Sequence, residues 1–288
     1  MGLRLIINAD DMGMTPGVTQ GVIECMTHGI VSSATLMMNM PSAQEAVAMA
    51  IKHRLAVGIH LNLTTGSPVL PPSKVRSLVQ ANGSFYTHDE FVRRLLRWRI
   101  STRDIYQELS AQVEMALHRG IQPTHLDTHH HTHLWFPVAW VMMQIGRKYN
   151  IRKIRTTRTA DMAMRTTNAP ITMRVWAKRR YKALVAALLR TRFHMATWRM
   201  EPSAFRTVHK YNSGSELEEW LFFVRQLQQL PCNTVIEVPC HPARVDDELR
   251  GYAKYVSGRE GEIMALTSQE LKTAVSQAGI EVISFRYL

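Results

Sequence analysis

The stretch Leu5-Ile6-Ile7-Asn8-Ala9-Asp10-Asp11-Met12-Gly13 sets the reading of this chain. An apolar run of strand length ends in two adjacent carboxylates and a glycine. Near-continuous Leu and Ile mark a strand buried on both faces, the pattern of a parallel sheet. Two neighbouring aspartates oppose strand propensity and repel each other. That arrangement is tolerated where a cation sits or where a carboxylate has a chemical task. Capping is the plainer explanation for an Asp before a helix. Here Thr15-Pro16 already supplies a cap and a first-position proline, so neither aspartate is needed for that. One carboxylate can then bind a cation while the other takes a proton.

On the C-terminal side of this stretch the segments alternate. A helix with apolar Val18, Val22, Ile23 and Met26 closes at Gly29. Strand Ser33 to Met38 follows, then a helix capped by Ser42, then strand Leu55 to Leu63. Strand, helix, strand, helix, strand predicts a parallel α/β architecture. Further helices are predicted around Asp89 to Trp98, Ser101 to His118, Pro137 to Tyr149, Ile171 to Phe193, Ser215 to Gln229 and Ser268 to Ala278. Further strands are predicted at Pro123 to Asp127, Ile151 to Thr156, Asn233 to Val238 and Ile280 to Phe285. Asp10, Asp11, His60, His129 and His241 all fall at or just past the C-terminal end of a predicted strand. In parallel barrels and open parallel sheets, sites are built at that edge.

Composition narrows the function classes. The 288 residues are 45% hydrophobic, ordinary for a globular protein. No apolar run is long enough to cross a bilayer. The first residues lack a charged segment, an apolar core and a cleavage site, so a cytoplasmic protein is expected. Cys25, Cys232 and Cys240 are odd in number and lack CxxC spacing, so they read as free thiols. Net charge is +12, but Arg147 to Arg199 alone carries fifteen Lys or Arg and one acid, Asp161. The rest of the chain is net −2. Concentrated basicity in one segment argues against a general nucleic-acid surface. Trp176, Tyr181, Phe193 and Trp198 interleave with those cations, yet no nucleic-acid module appears. The same segment is a candidate surface for a homodimer or an acidic substrate.

The densest local signal is His125-Leu126-Asp127-Thr128-His129-His130-His131-Thr132-His133. Imidazoles suit zinc and other divalent first-row ions. A carboxylate two residues from a histidine suits orientation of a ligand from behind, the role given to Asp127. Spacing leaves open which of His125, His129, His130, His131 and His133 would ligate, and His131 and His133 are also candidates to support a ligand or bind substrate. No HExxH or paired-cysteine motif is present. Gly58-Ile59-His60-Leu61-Asn62 offers a further imidazole, with Asn62 on the same strand face as a candidate substrate contact. Its alternative is loop hydrogen bonding. In Cys240-His241-Pro242-Ala243, His241 is placed as a general acid, and Cys240 reads as a buried structural thiol.

Together these segments resemble the YdjC-like carbohydrate deacetylases, a family that includes chitooligosaccharide deacetylases. Asn8-Ala9-Asp10-Asp11-Met12-Gly13 is similar to that family's Asn-Ala-Asp-Asp-Phe-Gly. Gly58-Ile59-His60, Pro123 through His133 and Cys240-His241-Pro242-Ala243 match its other motifs in order and spacing. The resemblance implies a single domain over 1–288 with a distorted TIM-like (β/α) barrel and a basic insertion at about 157–198. It implies one divalent metal ion, Mg or Zn, held by Asp11, His60 and His129, with Asp10 as base. The implied activity is removal of an N-acetyl group from N-acetylglucosamine-containing sugars. The departures are Met12, where the family has an aromatic, and the length and basicity of the 157–198 stretch. An N-acetylglucosaminyl lipid substrate, a two-metal phosphoesterase and a polyanion-binding protein are the alternatives.

Overall fold

The computed structural model describes residues 2–155, 173–195, 198–199, 216–253 and 256–288. Its centre is β1 (Arg4–Met12), which runs through the aspartate pair instead of stopping before it. β2 (Ser33–Leu36), β3 (Val57–Leu61) and β4 (Leu126–Thr128) follow on one side of it, and β6 (Val235–Cys240) lies on the other. The short β5 (Trp198–Arg199) pairs with β6, and β7 (Glu281–Val282) pairs with the start of β1. Every pairing between these strands is parallel. Beyond β4 the series continues as single parallel bridges, Leu126 with Ile154 and Lys153 with His194. The strands thus curl into a distorted TIM-like barrel: the alternation of segments predicts the parallel α/β architecture, and the resemblance to the family implies the barrel.

Helices α1 (Pro16–His28), α2 (Ala43–Lys52), α3 (His88–Leu96), α4 (Thr102–His118), α5 (Phe136–Lys148), α6 (Met173–Arg190) and α7 (Glu216–Leu227) follow in chain order. α8 (Asp247–Tyr252), α9 (Arg259–Thr267) and α10 (Gln269–Gln277) complete the set. Thr15 caps α1 through Oγ1, 3.3 Å from Val18 N, and Pro16 opens the helix. Ser42 precedes α2 but makes no capping hydrogen bond. α8 and α9 are absent from the sequence prediction because their apolar positions are too few to set a period. The strand predicted at 151–156 is reduced to bridges at 153 and 154, and residue 156 lies outside the described residues. The strand predicted at 280–285 is two residues long and passes into a 3-10 turn, Phe285–Tyr287. Residues 157–172, 196 and 197 of the basic insertion expected at 157–198 also lie outside the described residues, as do the side chains of Trp176 and Trp198. No helix among the described residues is long and apolar enough to cross a membrane.

The two faces of β1 do different work. Leu5, Ile7 and Ala9 pack outward into the main core with Val18, Val22 and Cys25 of α1. Ile6 points the other way, into a small apolar cluster with Val235, Ile283 and Phe285. Asn8 and Asp10 continue that inner face, both buried. The barrel interior is therefore apolar at one level and polar at the next, and the polar level lies toward the C-terminal strand edge.

Candidate metal centre

Asp11 adopts φ +67, a left-handed conformation that few residues other than Gly, Asn and Asp tolerate. The register of β1 against β2 shifts between Ala9 and Met12, so the strand is bulged there. In regular pleat, neighbouring side chains would face opposite sides. The bulge brings both aspartates to one cleft of about 960 Å³, which His60, His129 and His241 also line.

His60 comes from β3 and His129 from the turn that begins where β4 ends. Asp11 Oδ1 lies 3.1 Å from His129 Nδ1 and 3.4 Å from His60 Nε2. The two ring nitrogens are 3.3 Å apart. All three residues are buried. Asp11 Oδ1 accepts no hydrogen bond. Ligands at about 2.0–2.2 Å from a tetrahedral ion stand about 3.3–3.6 Å from one another. One oxygen and two imidazole nitrogens in that triangle, with an unsatisfied buried oxygen, fit a divalent metal. Burial opposes charge on Asp11, but His129, His60 and Arg259 around it hold its carboxyl well below the usual range.

Behind this triangle sits a polar layer centred on Arg155, which is fully buried. Its Nη1 and Nη2 each donate to Asp10 at 2.6 Å. Its Nε donates to Glu237 at 2.5 Å, and Nη1 lies 3.0 Å from Asp127. Asp127 in turn binds His60 Nδ1 at 2.7 Å, which turns Nε2 toward Asp11. Burial alone would raise both Asp10 and Asp127. Arg155 overcomes it at Asp10, and His60 with Arg155 overcomes it at Asp127, so both are held below the ordinary carboxylate range. The His60 ring, despite burial, is pushed up to about 10 by Asp127, Asp11 and Asp10. A second cluster of possible donors is Asp10, His60 and Asp127, and its two carboxylates are the ones that hold this guanidinium.

His241 follows β6 directly and places Nε2 3.9 Å from Asp10 Oδ2. Its backbone N–H donates to Glu262 at 2.6 Å. Cys240 is buried with Sγ 3.5 Å from the Asn8 carbonyl, and burial drives its thiol pKa well up, as suits a structural thiol. Cys25, Cys232 and Cys240 are all free.

The histidine run divides. His125 is buried and stacked on Phe285 at 3.6 Å, and burial pushes it down to about 3. His130 and His131 both adopt left-handed φ, 53° and 52°, and line the cleft. His133 turns away to Thr128 Oγ1 at 2.6 Å and does not line the cleft. Asn62 does not line it either. Its amide donates to Asn39 Oδ1 and the Thr65 carbonyl and accepts from the N–H groups of Thr64 and Thr65. That is the loop-bonding role rather than a substrate contact.

Sequence reasoning missed Arg155, Arg259 and Glu262 as site residues. A signal for Arg155 existed: Glu237 lies inside the apolar strand Val235-Ile236-Glu237-Val238, and a buried carboxylate needs a buried cation.

A parallel barrel with a carboxylate and two imidazoles converging at its C-terminal strand edge is the architecture of a barrel protein with a candidate metal centre. The chain belongs to the YdjC-like protein family, whose sequence model matches residues 4–277. It is 32% identical over 287 residues to a carbohydrate deacetylase of Geobacillus stearothermophilus, covering 98% of this chain and 96% of that protein. It is 31% identical over 289 residues to a carbohydrate deacetylase of Listeria monocytogenes serotype 4a, covering 99% and 100%. Its fold is also similar to the crystal structure of an Enterococcus faecalis protein assigned to cellobiose-phosphate cleavage. That match has a TM-score of 0.79 and 29% identity and covers 100% of this chain and 99% of the other.

Proposed function

We propose that this chain is a metal-dependent hydrolase that removes the N-acetyl group from N-acetylglucosamine-containing sugars such as chitooligosaccharides. The observation that carries the reading is the buried triangle of Asp11, His60 and His129 beside an aspartate held ionised by Arg155. The relatives named carbohydrate deacetylases supply the substrate class. A cleft of about 960 Å³ lies near the upper end of small-molecule sites, about 300–1,000 Å³, and suits an oligosaccharide. Tyr252 on its wall offers apolar ring surface to a sugar.

Asp11, His60 and His129 would hold one divalent ion, and two imidazoles favour zinc or a similar first-row ion over magnesium. Such an ion lowers the pKa of water and polarises a carbonyl. The chain's own residues do the rest. Asp10 takes a proton from the attacking water. Both its oxygens accept from Arg155, but each carboxylate oxygen has a second lone pair to offer. The water oxygen joins the acetamide carbonyl carbon, the C–N bond breaks, and acetate leaves. His241 donates a proton to the departing amine. Its 3.9 Å separation from Asp10 puts both proton carriers in the same part of the cleft. Asp127 keeps His60 oriented from behind.

The two-metal phosphoesterase reading is disfavoured by Arg155. Two of the three members of the second donor cluster, Asp10 and Asp127, are already bonded to its guanidinium. The test is acetate release from diacetylchitobiose by metal-loaded protein. Release that is lost in His129→Ala supports the proposal. No release from any N-acetylated sugar refutes it.

A further inference from the structure

α9 reaches the site from outside the strand edge. Gly258, with φ +141, turns the chain into the helix. Arg259 and Glu262 are three residues apart, so they share one helix face, and both are buried. Arg259 Nη2 donates to Asp11 Oδ2 at 3.0 Å. Glu262 Oε2 accepts from the backbone N–H of His241 at 2.6 Å, and the Arg259 carbonyl accepts from Ala243 N at 3.3 Å. One helical turn thus grips Asp11 and the chain around His241 together.

The consequence is sharpest at Asp11. A carboxylate can ligate a metal through one oxygen or both. Here Oδ2 is committed to Arg259, while Oδ1 accepts no hydrogen bond and faces the two ring nitrogens. We infer that Arg259 is a positioning residue that fixes Asp11 as a one-oxygen ligand and so preserves an open coordination position for water and substrate. The inference rests on the assignment of Asp11, His60 and His129 as the metal site. Arg259 acts through Asp11, not on the reacting atoms. Its planar, always-charged fork suits holding one carboxylate oxygen in a fixed direction. Without it, Oδ2 is released to swing toward the ion and fill that position.

The test is Co²⁺ titration of the metal-free full chain, read by calorimetry and by visible absorption. The proteins are the unaltered chain, Arg259→Gln, Arg259→Lys and His129→Ala. Cobalt absorption weakens as coordination number rises, a signature that a merely structural role would not move. Arg259→Gln is expected to bind Co²⁺ about 10–100-fold more weakly, because the ligand oxygen is no longer held in place, and with weaker absorption. Arg259→Lys, which keeps the charge without the fork, is expected to recover part of the affinity. Affinity and absorption unchanged in both Arg259 variants overturn the inference. If Arg259→Gln does not fold, an unaltered spectrum in Arg259→Lys overturns it alone. A different pattern refutes the metal assignment itself: no Co²⁺ binding by the unaltered chain, or full binding by His129→Ala.

Discussion

Replacing Arg155 with Met removes a guanidinium from the middle of the barrel while keeping an apolar stem in its place. The guanidinium is fully buried and within 3.0 Å of three carboxylates, on Asp10, Asp127 and Glu237. Removing one partner of a buried ion pair costs about 3–5 kcal/mol, because the other charge stays buried without compensation. Against a typical total of about 5–15 kcal/mol, that is a large share. At about 2 °C per kcal/mol, the low end for large domains, the melting temperature at pH 7 should fall by about 6–10 °C. The pH dependence gives a second check. In the unaltered protein Asp10 and Asp127 are held below their unfolded values. Their contribution is present above the unfolded pKa and is lost as pH falls through the folded one. Without Arg155, burial pushes Asp10 above its unfolded value, so the variant loses stability as pH rises. The gap between the two proteins should therefore narrow from pH 7 toward pH 4. The assay is thermal unfolding in the presence of a chelator across that range. A fall of less than about 2 °C at pH 7, or a gap that widens toward acid, would refute the reasoning.

Three further outcomes are expected. Asp10→Asn should lower acetate release by about two to four orders of magnitude while metal affinity stays within a few-fold, and full activity in the metal-loaded variant would remove Asp10 as the base. A chelator should abolish activity and a divalent ion restore it, with zinc more effective than magnesium; His129→Ala should not respond to added metal at micromolar concentrations. Gly58→Ala places a Cβ 2.5 Å from His125 Nδ1 and 2.6 Å from the His125 carbonyl. The His125 ring is stacked on Phe285 and has nowhere to retreat, so β3 must shift, at about 1–3 kcal/mol in a denaturant titration. A midpoint equal to that of the unaltered protein would show that the β3 contact is slack.

Much of this was legible in the chain. Buried strands announce themselves through runs such as Leu5-Ile6-Ile7, and Thr15-Pro16 marks the start of α1. The placement of Asp10, Asp11, His60, His129 and His241 at strand ends follows from those runs alone. Pairing is harder to read. The two-residue β5 is set by its neighbours and carries no pattern of its own, and the apolar run at 280–285 predicts a longer strand than the two residues of β7. Arg155 was hidden as one of fifteen cations in a basic segment, and its burial depends on three carboxylates distant in sequence. Arg259 and Glu262 lie in Arg259-Glu260-Gly261-Glu262, a polar stretch with no apolar period to mark a helix or a buried face. Asn62 shares the face of His60, yet local N–H and carbonyl groups of Thr64 and Thr65 capture its amide. Periodicity reports a side chain's face and says nothing of such local competition.

The bulge at Asp11 narrows the alphabet available at that position. The backbone is left-handed there, which admits Gly, Asn and Asp readily and other residues at a penalty. The metal role proposed for the three-atom triangle asks for an anionic oxygen on a short stem, which removes Gly and Asn. Glu offers the charge but not the conformational tolerance. Fold and chemistry, each permissive alone, leave one residue of the twenty where they intersect. A descendant of this protein that abandoned the chemistry could therefore drift to Asn or Gly with its barrel intact, and position 11 is where such a change of occupation would first be written.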